Sequence, residues 1–128
     1  MTDASNIKKR CLIVDDSKVI RSVARKILEE LGFEIEEAGD GAVALDSCRR
    51  RMPEAILLDW NMPVMDGIHF LRALRSLPDG QSPQVLFCTT ESGMHFMQQA
   101  IEAGANEYIM KPFDSEIVQL KFSRVGLL

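Results

Sequence analysis

Short apolar runs alternate with amphipathic stretches along the chain. Cys11–Val14 (CLIV), Ala55–Leu58 (AILL), Val85–Cys88 (VLFC) and Tyr108–Met110 (YIM) are apolar without a break, the pattern of strands buried on both faces of a parallel sheet. Phe33–Ala38 (FEIEEA) alternates apolar and polar residues and predicts a more peripheral strand. Helical patterns lie between these runs. In SKVIRSVARKILEELG, the spacing of Ile20, Val23, Ala24, Ile27 and Leu31 predicts one apolar face, with Gly32 as the stop. GAVALDSCRRR runs up to Met52-Pro53, and GIHFLRALRSL up to the turn signal Pro78-Asp79-Gly80. MHFMQQAIEAG follows, and DSEIVQLKFSRV comes after Lys111-Pro112. The order βαβαβαβαβα implies right-handed crossovers, with helices on both faces of a parallel sheet. No repeat, linker or low-complexity segment interrupts it. The expectation is a polar tail at 1–9 and a single domain over 10–128, with nothing left over for a second.

Composition narrows the partners. Apolar residues at 46% and charged residues at 27% of 128 are those of an ordinary globular domain. A formal charge of −4 argues against DNA as a partner. No apolar run approaches the roughly 20 residues that cross a bilayer, so membrane insertion is not expected. MTDASNIKKR lacks the apolar core of a secretory signal. Cys11, Cys48 and Cys88 form no CxxC pair or even framework. A reduced, cytoplasmic setting is the simplest expectation.

Candidate chemistry gathers where the strands end. In an open parallel sheet, ligands bind beyond the carboxyl ends of the strands. Here those ends carry Asp15-Asp16, Asp59, Thr89-Thr90 and Lys111-Pro112. Three carboxylates brought together raise one another's pKa values. A hard cation such as Mg²⁺ relieves this and leaves coordination positions for a phosphate. A carboxylate beside it can accept a phosphoryl group, with Thr89 and Lys111 sharing the charge on the phosphoryl oxygens. Each residue also has an ordinary reading. Asp16-Ser17 can cap a helix, Asp66-Gly67 can start one, and Lys111 can be a surface lysine. The conjunction at successive strand ends is what those readings do not anticipate.

VDDS, LLDWNMPVMDG, CTTE and YIMKPF resemble the motifs of response-regulator receiver domains of the CheY type, over essentially the whole chain from Arg10 onward. The resemblance implies an α/β fold of the flavodoxin/CheY kind, a doubly wound five-stranded parallel sheet of order 2-1-3-4-5 flanked by five helices. It also implies a cytoplasmic, stand-alone response regulator that takes a phosphoryl group from a histidine kinase or phosphotransfer protein. Asp59 matches the phosphoacceptor. Asp15, Asp16 and Asp59 match the Mg²⁺ ligands, with the backbone carbonyl of Asn61 as a further one. Thr89 and Tyr108 match the switch pair, Tyr108 swinging inward on activation. Lys111 matches the lysine on the phosphoryl group, and Lys111-Pro112 is expected to be cis. Asn61 and Glu91 occupy the positions that tune phosphoryl lifetime, in the combination of chemotaxis proteins.

Output then has to pass through a downstream protein bound in the phosphorylated state. Met94, Phe96, Met97 and Tyr108 form the expected partner surface, joined by Phe122 if it points outward. The ending KFSRVGLL departs from the longer last helix of many chemotaxis receivers. Competing readings are a phosphorelay intermediate or kinase-regulating adaptor, a pure binding module, and a Mg²⁺-dependent aspartyl-phosphate phosphatase. The last would need a general acid two residues after the nucleophile, and Asn61 stands there. Trp60 reads as exposed and Cys88 as core. Lys8-Lys9-Arg10 and Arg49-Arg50-Arg51 read as basic clusters, the second suiting a helix C-terminus or, less simply, an anionic ligand. His69 and His95 lack metal-ligand spacing, and no GxxxxGK loop is present.

Overall fold

The structure, a computed structural model, describes residues 8–91 and 93–128. Most of the expected polar tail therefore lies outside the described residues. Five strands, Arg10–Val14 (β1), Glu34–Ala38 (β2), Ala55–Asp59 (β3), Gln84–Thr89 (β4) and Glu107–Met110 (β5), alternate with five helices. The helices are Lys18–Glu30 (α1), Gly41–Arg50 (α2), Gly67–Arg75 (α3), Met94–Ala103 (α4) and Ser115–Arg124 (α5). All strand pairs are parallel, in the order β2-β1-β3-β4-β5. The alternating FEIEEA segment is an edge strand, as its pattern predicts.

Successive side chains on a strand point to opposite faces, and the core is divided accordingly. Leu12, Val14, Ile56, Leu58, Val85 and Phe87 lie on one face with α2, α3 and α4. Cys11, Ile13, Leu57, Leu86, Cys88 and Ile109 lie on the other with α1 and α5. The α1 face departs from its prediction. Ala24 and Leu28 are its buried residues, while Val23 is 44% exposed. The true stripe runs through Ile20, Ala24, Ile27, Leu28 and Leu31, and Val23 falls just outside its arc.

Phe122 does not point outward. It is fully buried and meets Phe33 edge-on, ring centroids 5.4 Å apart. A fully buried ring of this kind contributes roughly 1.5–3 kcal/mol, more than any surface role would return. Arg10 likewise is not part of a loose basic cluster. It sits on β1 with its guanidinium on Glu36, 2.7 Å away, and on the Arg51 carbonyl at 3.4 Å. Arg49 and Arg50 do close α2, with Arg51 as its C-cap. Cys88 is in the core, as expected.

The edge strand is tied to α1 through charge. The Glu37 carboxylate accepts from Arg21 at 2.9 Å and Arg25 at 2.7 Å. Burial alone would raise its pKa, but the two guanidiniums outweigh that and lower it. A carboxylate with a depressed folded-state pKa stabilises the fold above its unfolded value of about 4.3, and that contribution is lost as pH falls through the folded value. Glu37→Gln is therefore expected to cost about 0.5–1 kcal/mol at neutral pH. The gap to wild type should close as the solution is acidified below about pH 4. Urea titrations at several pH values measure this, and a gap unchanged by acid would assign the loss to shape rather than charge.

Candidate functional site

The acidic residues meet because of strand parity. Asp15 continues the face of Cys11 and Ile13, Asp59 that of Ala55 and Leu57, and Lys111 that of Ile109. All three thus arrive on the α1/α5 side of the sheet, at the carboxyl edges of β1, β3 and β5. Carboxylate oxygens of Asp15, Asp16 and Asp59 lie within 4.8 Å of one another. Asp15 and Asp59 are buried and Asp16 is exposed. Lys111 Nζ donates to Asp15 Oδ2 at 2.7 Å and to Asp59 Oδ1 at 3.1 Å.

Local backbone holds the acids in place. The Ser17 N–H donates to Asp15 Oδ1 at 2.9 Å, and Ser17 itself caps α1 by accepting from the Ile20 N–H. Gly67 starts α3 against the end of β3, where a Cβ would lie 2.3 Å from the Asp59 carbonyl oxygen. No other residue fits there without moving the strand that carries Asp59. The Lys111-Pro112 bond is cis.

Electrostatics follow from the crowding. Burial, and then the charge of Asp15, push the Asp59 carboxyl above its ordinary range, with Lys111 and the Trp60 N–H offsetting part of the rise. Burial would lower Lys111, but Asp15 and Asp59 dominate and hold the ammonium above its usual value. One ammonium among three carboxylates leaves negative charge uncompensated. An all-oxygen, hard donor set with one exposed member fits a small divalent cation that keeps some of its water.

The other parity builds a second cluster. Thr89 continues the face of Phe87, toward α4, and Tyr108 belongs to the same core. Their hydroxyls meet at one residue. The Glu91 N–H donates to Thr89 Oγ1 at 3.1 Å, and the Tyr108 hydroxyl donates to the Glu91 carbonyl at 2.5 Å. Asn61 Nδ2 donates to Glu91 Oε1 at 3.2 Å. The two expected tuning positions therefore touch each other, a pairing that no spacing in the sequence indicates.

The expected partner surface divides. Met94 is 81% exposed and Met97 47% exposed. Phe96 is half-buried and packs on the core, edge-on to Trp60. Tyr108 is buried and reaches the surface only as part of the lining of a groove shared with Met110, Phe113 and Ile117. Helical rotation explains the split, because Met94, Met97 and Ile101 recur at i, i+3 and i+7 while Phe96 faces inward. Ile101 on the same outer face of α4, and Met110 at the end of β5, are also exposed and were missed; the i+7 spacing was the signal for Ile101. Trp60 is not exposed either. It is 8% accessible, wedged between Phe87 and Phe96.

Known proteins match this arrangement along the chain. The family model for the response regulator receiver domain matches residues 11–122. Chemotaxis protein CheY-3 of Vibrio cholerae is 34% identical over 121 residues, which are 94% of this chain and 93% of that protein. The solved structure of Vibrio cholerae chemotaxis protein CheY4 superimposes with a TM-score of 0.88 at 34% identity, covering 93% of this chain and 99% of that one. The receiver domain of the sensor histidine kinase PA1611 from Pseudomonas aeruginosa was solved with a magnesium ion coordinated in its active-site cleft. It superimposes with a TM-score of 0.82 at 29% identity, covering 89% of this chain and 93% of that one. With the fold, the strand-end acids and the length all in agreement, the chain belongs to the response regulator receiver domain family and is CheY-like.

Proposed function

We propose that this protein is a single-domain response regulator of the chemotaxis type that is phosphorylated on Asp59. The observation that carries the reading is the Asp15, Asp16 and Asp59 cluster with Lys111 bonded to two of its members. The donor is a phosphohistidine of a histidine kinase or phosphotransfer protein. An Asp59 carboxylate oxygen attacks the phosphorus, the P–N bond breaks, and its electron pair leaves with the imidazole, which takes up a proton. Asp15, Asp16 and Asp59, with the Asn61 carbonyl, would hold Mg²⁺, whose charge favours the phosphoryl oxygens. Lys111 moves from the carboxylates toward the added phosphoryl charge, and Thr89 turns its hydroxyl to the same group.

That last motion has a stated cost. Thr89 Oγ1 now accepts from the Glu91 N–H, so turning it releases the loop that also holds Tyr108 and Asn61. Phosphorylation then shifts a population between two arrangements of this loop. Hydrolysis by water returns the domain to rest, with Asn61 and Glu91 setting access to the phosphoryl group. The downstream protein binds the Met94, Met97 and Ile101 face of α4, where flexible apolar side chains suit an adaptable contact.

Millimolar Mg²⁺ is expected to raise the melting temperature of the wild type by mass action on the folded state. Asp16→Asn should reduce that rise, and chelation should reverse it; an equal rise in both proteins would place the cation elsewhere. Acetyl phosphate with Mg²⁺ should add one phosphoryl group by mass spectrometry, with none on Asp59→Asn or in the presence of EDTA. Incorporation into the Asn variant would overturn the choice of acceptor. Immobilised protein with Mg²⁺ and beryllofluoride should retain a downstream target from native lysate, and Met94→Asp should abolish the capture. Retention of a kinase or phosphotransfer protein alone, indifferent to beryllofluoride, would favour a relay or adaptor role.

A further inference from the structure

Helix α4 is attached to the rest of the domain unevenly. The other four helices begin on a side chain that accepts a backbone N–H, namely Ser17, Asp40, Asp66 and Asp114. α4 begins at Gly93, whose φ is 101° and which has no side chain to cap with. Its other end is fixed. Gly104 takes the left-handed conformation, and its carbonyl accepts from Arg75 Nε at 3.1 Å and Nη2 at 2.7 Å. The buried residues of the helix, Ala100 and Ala103, also lie toward that end.

At the end nearer the site, Met94, His95 and Met97 face solvent, and Phe96 reaches inward. Its ring meets Trp60 at 5.5 Å with an interplanar angle of 84°. Trp60 leans on Phe87 of β4 at 4.9 Å. Trp60 directly follows Asp59 in the chain, at the carboxyl end of β3. The edge contact thus bears on the residue next to the one that carries the acceptor carboxylate. Edge-on aromatic pairs have directional preference beyond their buried area, so an aliphatic side chain does not reproduce them.

We propose that Phe96 is a positioning residue for Asp59: its edge contact fixes the Trp60 indole, Trp60 is joined directly to Asp59 and so holds the strand end that carries the carboxylate, and the same contact carries movement of the start of α4 back to the site. This rests on Asp59 being the phosphoacceptor. Coupling between two binding events is reciprocal, so a partner bound at the start of α4 and a group bound at the site alter each other's affinity by the same free energy. Phe96 is thereby removed from the partner surface and assigned to the acceptor side of the chemistry.

The test is the rate of phosphorylation by acetyl phosphate with Mg²⁺, followed by mass spectrometry on the full chain. In that step an Asp59 oxygen attacks phosphorus, and the P–O bond to the acetyl group breaks with its electron pair leaving on acetate. Phe96→Leu keeps an apolar side chain but loses the ring edge, and should slow the reaction by about tenfold. Phe96→Tyr keeps the ring and should restore most of the wild-type rate. Gln98→Ala, on the exposed side of the same helix, should leave the rate unchanged. Should Phe96→Leu prove less stable, the Leu and Tyr variants are compared at a temperature where both are folded by near-ultraviolet circular dichroism. Equal rates for wild type, Leu and Tyr variants would overturn the inference while leaving Asp59 as the acceptor. A wild type that takes up no phosphoryl group would overturn that assignment and this inference together.

Discussion

Two carboxylates buried at the ends of neighbouring strands are tolerable only with positive charge between them, and Lys111 supplies it. Its bonds of 2.7 Å to Asp15 and 3.1 Å to Asp59 join β1, β3 and the segment after β5 across the sheet edge. Buried carboxylates without such compensation would take up protons or destabilise the fold. Compensation here is partial, since Asp59 remains above its ordinary pKa range while Lys111 is held above its own. A site left short of positive charge is a site prepared for a cation. The fit to an oxygen-seeking divalent ion follows from that shortage as much as from the number of acids.

The same sheet edge divides its work between two faces. One parity brings acids and ammonium together on the α1/α5 side. The other sends Thr89, Tyr108 and Trp60 toward α4. The backbone of Glu91 joins Thr89 and Tyr108, accepting from Tyr108 and donating to Thr89. Trp60 joins the faces by a shorter route, because it directly follows Asp59 on the acid side while its ring lies on the α4 side. Residues adjacent along a strand can therefore be separate in function and still mechanically coupled. The end of α4 that lies beside this junction lacks a side-chain cap, whereas Arg75 clamps the other end.

Much of the fold and of the site was legible in the chain. Unbroken apolar runs marked the central strands β1, β3 and β4 and FEIEEA one edge, because burial on two faces or one imposes those patterns; Tyr108–Met110 carries the same unbroken pattern yet forms the other edge, with Met110 exposed. Asp15, Asp59 and Lys111 could be placed together, since each ends or follows a recognisable strand. Side-chain direction was less legible. Trp60 reads as exposed because it follows a buried acid in a polar loop, yet Phe87 and Phe96 enclose it. Phe96, Met94 and Met97 are equally apolar, and the helix rotation that turns one inward is set by packing. Arg10 looked like part of a basic run until the fold set Glu36 beside it.

The sequence by itself determined the order of elements, the parallel sheet and the residues that end its strands, because periodicity and turn chemistry act over a few residues at a time. Tertiary structure alone decided which long-range neighbours meet. These include Asn61 with Glu91 across 30 residues, Lys111 with Asp15 across 96, and Phe96 with Trp60. Such contacts depend on strand order, crossover and helix rotation together, and no local pattern in the chain encodes that product.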